Sequence, residues 1–508
     1  MAFPTGLCLG LCLLLRLLTA AEARIVVAED ASATEVWAAE KLSALLPRSL
    51  THDHQDPQIA VGHGAAVALG VNAEALESLG DDAYLVVSGP SRGVPVGSVA
   101  IASSASSARG TMNGAFAFLR QLGFEFLAQD EIVQPVGTPV VPSRLDISYD
   151  PPFENREMAA VPTAGPGGKR GRPTKPTPGV DLVRLPTNLS AALGFDGFMA
   201  YAPVGGIVGP SNPPGFTASA YNLMVPSGSV FLCGPGQQNS TQRHLPCPAV
   251  AAEHPEWFAC LRKDPIGPNP AGNHITHNYT TWPCPESGPN SVAQDGQRGN
   301  SQPCWGNASL IRTWTANIRA LIKQYPDLRT FNLGGMDGTA VRIQCPSDQP
   351  FVADANSTGG ANFYAANTIA AALADDYPDV RILIDAYSMT QFPPKAGYKF
   401  HPNVIVRVCL TSEMGYGAEH GVPKELPLTA PENADWLMRL KRWTAAADTV
   451  YIWDYTQHGR YVATPFPNYF VVAEDMKTFH DFGVKGWFAE SVCCHPREDM
   501  VELKVFLW

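Results

Sequence analysis

From Leu310 onward the chain repeats one pattern: a helical stretch, a short apolar run, then a polar or aromatic residue. Helical spacing over Leu310–Lys323 precedes Thr330-Phe331-Asn332-Leu333-Gly334-Gly335, and a second helix over Ala361–Asp375 precedes Arg381-Ile382-Leu383-Ile384-Asp385-Ala386-Tyr387. Asn403–Val408, Val450–Asp454 and Val484–Glu490 continue the series. Consecutive apolar positions mark strands covered on both faces, and the intervening helices supply the crossovers that parallel strands require. Five such strands late in the chain, with room for three earlier, predict a (β/α)8 barrel of about 350 residues. A doubly wound open sheet is the main alternative. The lack of a nucleotide-binding motif, and the polar and aromatic residues gathered at strand ends, favour the barrel.

Barrel chemistry sits at the C-terminal ends of the strands, so the candidate residues follow from the strand positions. They are Asp337 beyond Gly334-Gly335-Met336, Asp385 with Tyr387, Glu413 and Tyr416, Trp453-Asp454-Tyr455, and Trp487 with Glu490. Carboxylates ringed by aromatics suit a sugar, whose apolar ring faces stack on indole and phenol. Glycosidic cleavage needs one protonated acid at the leaving oxygen and a second carboxylate as base or nucleophile. Asp337 is assigned as the acid, Glu490 as base or nucleophile, and Asp454 as its reserve. Tyr387, Trp453 and Trp487 are read as platforms, with Asp385 and Glu413 completing a substrate-binding set. Each carboxylate also has a plainer reading, as a helix cap or a loop ion pair. No metal or organic cofactor is implied, and neither a G-x-S-x-G elbow nor an HExxH run is recognised, so serine-esterase and zincin readings lose support.

The first 150 residues read as a small α/β domain spanning 24–149. Strand-like Ile25-Val26-Val27, Ile59-Ala60-Val61, Tyr84–Val87 and Val99–Ala102 alternate with helical stretches around Glu35–Leu42 and Ala115–Leu119. Gly62-His63-Gly64 lacks both the third glycine and the helix start of a dinucleotide fingerprint. The barrel domain is predicted over 150–508, with a loop-rich insertion at 161–310 that absorbs much of the chain's 45 Gly and 45 Pro.

Export is predicted from the N-terminus. Leu7–Leu15 is an apolar run too short to span a bilayer, and Ala21-Glu22-Ala23 offers a cleavage site, so residues 1–23 read as a signal peptide. An uncleaved anchor is the competing reading. No later segment is apolar enough to span, which predicts a secreted, cell-surface or lumenal protein. Five Asn-x-Ser/Thr tripeptides, at Asn188, Asn239, Asn278, Asn307 and Asn356, agree with that compartment. So do the five Cys between Cys233 and Cys304, read as loop-stapling disulfides of open connectivity. A zinc site is the rival reading of the cluster, but His274–His277 has no matching ligand pair. With 36 Lys and Arg against 47 Asp and Glu, the chain lacks the positive field that nucleic acid demands. Lys169–Pro176 is therefore a solvated basic loop, and Cys493-Cys494-His495 reads as disulfide or buried thiol. The expected partner is a carbohydrate; the oligomeric state is left open.

The order of several segments resembles an uncharacterised domain-of-unknown-function family with an architecture similar to α-glucuronidases and β-hexosaminidases. The early match is Ala38-Ala39-Glu40-Lys41-Leu42, Arg109-Gly110-Thr111-Met112-Asn113-Gly114-Ala115 and Leu122-Gly123-Phe124. His254-Pro255-Glu256-Trp257-Phe258, Asn332–Gly338 and Gly483-Val484-Lys485-Gly486 follow. Phe331–Asp337 is similar to the hexosaminidase run that ends Gly-Gly-Asp-Glu, with Met336 in place of the Asp and Asp337 in place of the Glu. The resemblance implies glycan hydrolysis with Asp337 as acid, but without the Asp that orients a substrate N-acetyl group. A non-catalytic carbohydrate-binding or cell-surface protein on the same fold is the alternative.

Overall fold

The computed structural model describes residues 16–19, 24–47, 50, 57–126, 132–160, 197–200, 254–257, 303–324, 329–334, 345–387, 390–410, 425–455, 468 and 470–491. For 16–19, 157–160, 197–200, 455 and 490–491 the description is of the backbone. The chain divides into two compact units, Met1–Glu154 with Leu185–Phe195, and Asn155–Arg184 with Asp196–Trp508.

The first unit is a mixed sheet with helices. Its strands are β1 (Arg16–Thr19), β2 (Arg24–Val27), β3 (Gln58–Val61), β4 (Tyr84–Ser88), β5 (Ser98–Ala102) and β8 (Asp146–Tyr149), in the order β1-β2-β3-β5-β4-β8. A separate two-stranded ribbon pairs β6 (Glu125–Phe126) with β7 (Ile132–Val133). β2, β3 and β5 are parallel, whereas β4 runs antiparallel to β5 and β8. β1 lies within the stretch that the sequence marks as a leader, and pairs antiparallel with β2. Removal after Ala23 would leave β2 as the sheet edge.

Helices α1 (Ala33–Leu45) and α4 (Ala108–Gln121) meet through Trp37 and Phe116, and Phe116 meets Phe126 edge-on at 5.1 Å. Ser32 and Glu35 form a capping box on α1. Contrary to the sequence expectation, a helix does begin at Gly62-His63-Gly64: α2 spans His63–Leu69, followed by α3 (Ala73–Glu77). It is closed to phosphate because Glu35 fills its N-terminus, accepting the His63 N–H at 2.8 Å. A Cβ on Gly62 would lie 2.5 Å from that carboxylate, which accounts for the glycine.

The Arg109-Gly110-Thr111 run also has a structural use. Arg109 pairs with the buried Asp82, and a Cβ on Gly110 would lie 2.1 Å from the Ala83 carbonyl. The Thr111 hydroxyl lies 2.9 Å from that of Ser103. Contrary to the sequence reading, a G-x-S-x-G spacing does occur, at Gly89-Pro90-Ser91-Arg92-Gly93, but it joins two antiparallel strands rather than a strand and a helix. Ser91 Oγ donates to Asp146 at 2.9 Å instead of meeting a base.

The second unit is a seven-stranded, wholly parallel sheet. Its strands are β9 (Asn155–Ala160), β10 (Gly197–Ala200), β11 (Thr330–Asn332), β12 (Arg381–Ala386), β13 (Val404–Leu410), β14 (Thr449–Tyr455) and β15 (Gly486–Ser491). The order is β10-β9-β15-β14-β13-β12-β11, so the first strand pairs with the last, as barrel closure requires. Among the described residues no strand links β10 to β11. What is shown is therefore a parallel arc of barrel type, not the complete ring that the sequence predicted. Helix α5 (Ala308–Gln324) precedes β11, α6 (Gln349–Ala355) and α7 (Gly360–Ala374) lie between β11 and β12, α8 (Ala434–Ala446) between β13 and β14, and α9 (Val472–Asp481) between β14 and β15.

The helices bury an aromatic knot. Phe363 of α7 is fully buried and meets Phe400 at 5.3 Å and Trp443 of α8 at 5.5 Å, both edge-on. Loss of this ring removes buried area and leaves a cavity. Phe363→Ala is expected to cost about 3–5 kcal/mol, measured by equilibrium denaturation; a change below about 1 kcal/mol would show that the knot does not hold these layers together.

Candidate functional site

Strand register decides which side chains can share a site, because successive residues of a strand point to opposite faces. Asp385, Arg407, Tyr451, Gly486 and Asn155 lie in one row across five strands. The next row on the same face holds Cys409, Trp453, Phe488 and Glu157, and the one beyond holds Tyr455, Glu490 and Ala159. Below them Leu383, Ile405 and Tyr451 form a buried apolar cluster. The face thus changes from apolar to charged to aromatic toward the strands' C-terminal ends.

The charged row is an ion pair. Asp385 and Arg407 side chains are 3% and 4% exposed, and Arg407 Nε and Nη2 both reach Asp385 Oδ1 at 2.7 Å. Asp385 Oδ2 is buried and has no hydrogen-bond partner among the described residues. It packs against Gly334, where a Cβ would lie 2.3 Å from it. Any side chain at Gly334 would force this carboxylate away from its place.

Gly334 is itself held. Its N–H donates to Asn332 Oδ1 at 2.6 Å, the Leu333 N–H donates to the Leu383 carbonyl at 2.7 Å, and Asn362 Nδ2 donates to the Leu333 carbonyl at 3.1 Å. Asn332 Nδ2 is a second buried polar atom without a partner among the described residues. A donor and an acceptor left unsatisfied in one interior mark a place where ordinary folding rules have been relaxed.

Aromatic rings cover the cation. The Arg407 guanidinium lies 4.8 Å from the Trp453 ring centre and 5.1 Å from that of Phe488. Trp453 also stacks on Tyr387 at 5.3 Å and 19°. Trp453 is only 3% exposed, so it supports Tyr387 and Arg407 rather than presenting an open ring. Tyr387 is half-buried, and its N–H donates to Thr390 Oγ1 at 3.1 Å.

A second constellation surrounds the start of α5. Cys304 and Cys345 form a disulfide between the approach to α5 and the segment beyond β11. Cys304 therefore pairs downstream, outside the Cys cluster to which its sequence position assigns it. The Cys304 N–H donates to the Trp257 carbonyl at 2.8 Å, and Trp257 Nε1 donates to Ser309 Oγ at 2.8 Å. Asp348 accepts the Gly306 N–H at 2.7 Å. Burial pushes its carboxyl up to about 6, against the pull of hydrogen bonds from Gly306, Ser347, Cys345 and Trp305.

A family model described as domain of unknown function DUF4838 matches residues 132–508. The chain belongs to that family. No curated protein matches it. Among solved structures it is similar to BtGH115A, a family GH115 4-O-methyl-α-glucuronidase with specificity for decorated arabinogalactans, at 14% identity over 88% of this chain and 50% of that one, with a TM-score of 0.41. A GH20 exo-β-N-acetylglucosaminidase from Vibrio harveyi gives 12% identity over 96% and 70%, with a TM-score of 0.43. A GH138 enzyme targeting pectin rhamnogalacturonan II gives 8% over 92% and 57%, with a TM-score of 0.32. This DUF4838 member thus spans half the length of the first of these.

In this family member the predicted site residues separate. Asp385, Tyr387 and Trp453 come together. Asp454 and Trp487 do not join them: the register sets Asp454 beside Leu410 and Ala489, and Trp487 beside Ile452 and Arg156, in the alternate rows. Their sequence neighbours Trp453 and Phe488 occupy the other face, and adjacent residues of one strand cannot both do so. Glu490 lies at a register position of the site face, opposite Tyr455 and Ala159. Asp337 and Glu413 lie outside the described residues, as do His274–His277, Lys169–Pro176 and Cys493-Cys494-His495. No cluster of three metal-ligating side chains occurs among the described residues.

Arg407 and Asn332 are additions that strand-end positions did not reveal, and Glu157 holds a register position opposite Phe488. Arg407 had a legible signal, a single charge within the otherwise apolar Val404–Leu410.

Two measurements test this geometry. Arg407→Ala leaves Asp385 buried without its cation and is expected to cost about 3–5 kcal/mol in denaturant; a change under about 1 kcal/mol would show the pair to be solvated. Asp348 has a folded pKa above its unfolded value, so its charge weakens the fold as pH rises from about 4 through about 6. Asp348→Asn should therefore leave stability unchanged at pH 4 and raise it by about 1–3 kcal/mol at pH 7.5. Thermal melts across that range that show no such crossover would exclude a buried ionising Asp348.

Proposed function

We propose that this protein acts on a carbohydrate as an exported O-glycosyl hydrolase, with a complete (β/α)8 barrel presenting its site at the C-terminal strand ends. The observation that carries the reading is the buried Asp385–Arg407 pair, set beneath Trp453 and Tyr387 and accompanied by two polar atoms without a partner among the described residues. Sugars combine apolar ring faces with hydroxyls that both donate and accept, and such a mixed interior answers both needs. The disulfide and the lack of a membrane-spanning helix among the described residues are compatible with export.

In this reading Asp337 protonates the glycosidic oxygen as the bond to the leaving group breaks. Glu490 either attacks the anomeric carbon or removes a proton from the attacking water. Asp385, fixed by Arg407, and Tyr387, backed by Trp453, orient the ring, with Glu413 completing the polar set. Met336 stands where an amide-orienting Asp would be needed, so the second carboxylate, rather than a substrate N-acetyl group, carries the other half of the reaction.

The test is a screen of aryl glycosides and aryl uronides on the full chain, paired with saturation-transfer NMR on the corresponding free sugars. One sugar class is expected to turn over, and Asp337→Asn to lower kcat at least about 100-fold while the sugar still binds. Equal activity in the two proteins would remove Asp337 from the mechanism. Binding without turnover by the wild type would make this a carbohydrate-binding protein, and neither binding nor turnover would end the carbohydrate reading.

A further inference from the structure

Two of the five Asn-x-Ser/Thr tripeptides lie on described residues, Asn307-Ala308-Ser309 and Asn356-Ser357-Thr358, and the fold treats them in opposite ways. Asn307 precedes α5 and is consumed by it. Its Oδ1 accepts from the Ser309 N–H at 2.9 Å, from Ser309 Oγ at 2.7 Å and from the Leu310 N–H at 3.2 Å. Its Nδ2 donates to the Glu256 carbonyl at 3.3 Å. The hydroxyl of the tripeptide is engaged as well, since Ser309 Oγ accepts from Trp257 Nε1. Asn307 is thus a helix cap that also ties down the His254–Trp257 segment.

Asn356 is built the other way. It closes α6 in the left-handed region, at φ 48° and ψ 43°, where Asn is among the few residues accepted. The cap bonds come from its backbone, with the N–H directed to the Ala353 and Val352 carbonyls. Its side chain is exposed and makes no hydrogen bond among the described residues. Ser357 anchors the tripeptide from within: its buried hydroxyl donates to the Phe392 carbonyl at 2.7 Å and accepts the Gly359 N–H at 3.2 Å. Thr358, which supplies the third-position hydroxyl, is exposed. A solvent-facing turn therefore presents a carboxamide that no hydrogen bond among the described residues engages.

The compartment is consistent with this chemistry. Cys304–Cys345 is a buried disulfide in the same unit, and disulfides persist where exported chains fold. We propose that Asn356 is a site of N-linked glycosylation and that Asn307, despite its tripeptide, is not. In the step, Asn356 Nδ2 bonds to the anomeric carbon of an oligosaccharide carried on a lipid pyrophosphate. The bond from that carbon to the pyrophosphate oxygen breaks, the lipid pyrophosphate leaves with the electron pair, and one amide proton passes to a base. Nothing is oxidised or reduced. The cap of α6 is untouched, because its bonds belong to the backbone.

The inference rests on the export part of the proposed function, so the experiment separates the two. The full chain is expressed in a eukaryotic secretory host with its own N-terminus, and in a second arm with a host signal peptide ahead of it. Secreted protein is deglycosylated by amidase in heavy-oxygen water, and the converted Asn residues are mapped by mass spectrometry. Asn356 is expected to be occupied in most molecules and Asn307 in few. Asn356→Gly, which the left-handed cap position accepts, should lose one glycan without a lower Tm, whereas Asn307→Gln should lose none and melt about 2–6 °C lower. A secreted chain with Asn356 bare, or with Asn307 as occupied as Asn356, overturns the proposal. Glycosylation of Asn356 in the host-signal arm alone supports the site and removes the export reading.

Discussion

Arg407 occupies a strand whose other six residues are apolar, in a parallel sheet that is buried throughout its centre. A guanidinium in that position cannot reach bulk water, and an unpaired charge there would not be tolerated. Its partner has to come from the same row, and register supplies Asp385 on the neighbouring strand. Because both nitrogens converge on one carboxylate oxygen, the other oxygen is pressed against Gly334 at the exit of β11. One ion pair thereby couples β13, β12 and β11, and fixes the position from which the chain leaves toward Asp337. The aromatic rings above it answer the same need, since those of Trp453 and Phe488 lie 4.8 and 5.1 Å from the cation.

The site therefore differs in kind from a surface cleft lined by carboxylates. Its described residues are nearly all buried, and its polar groups were placed by the demands of a strand interior before any ligand is considered. Asn332 serves the fold with its oxygen and leaves its nitrogen unused, and Asp385 divides its two oxygens in the same manner. Such half-satisfied groups weaken a fold, and their retention beside Gly334 is what gives a ligand-binding reading physical content.

Much of the architecture was legible because helix and strand periods differ and Gly and Pro punctuate them. The helix over Leu310–Lys323 appears as α5, and the runs ending at Asp385 and Asp454 appear as β12 and β14. Three features were hidden for a common reason. The pairing of Cys304 with Cys345, the filling of the α2 N-terminus by Glu35, and the tie from Asn307 to the Glu256 carbonyl all depend on residues distant in the chain. A local pattern carries no information about which distant group will arrive. The tripeptides at Asn307 and Asn356 make the point sharply, since the same motif is a helix cap in one place and an unengaged side chain in the other.

By itself the sequence determined the strands, their parallel class and the polar residues at their ends, because apolar runs of that length between helices are stable only when both faces are covered. Tertiary structure decided which of those residues meet. Alternation along a strand puts Trp453 and Asp454 on opposite faces, and only the register across β13, β14 and β15 shows that Trp453, not Asp454, shares a face with Arg407 and Phe488. A shift of one residue would exchange the two sets, and no local sequence signal distinguishes them. The pairing is selected by packing summed over the whole sheet, and therefore becomes visible only in the folded chain.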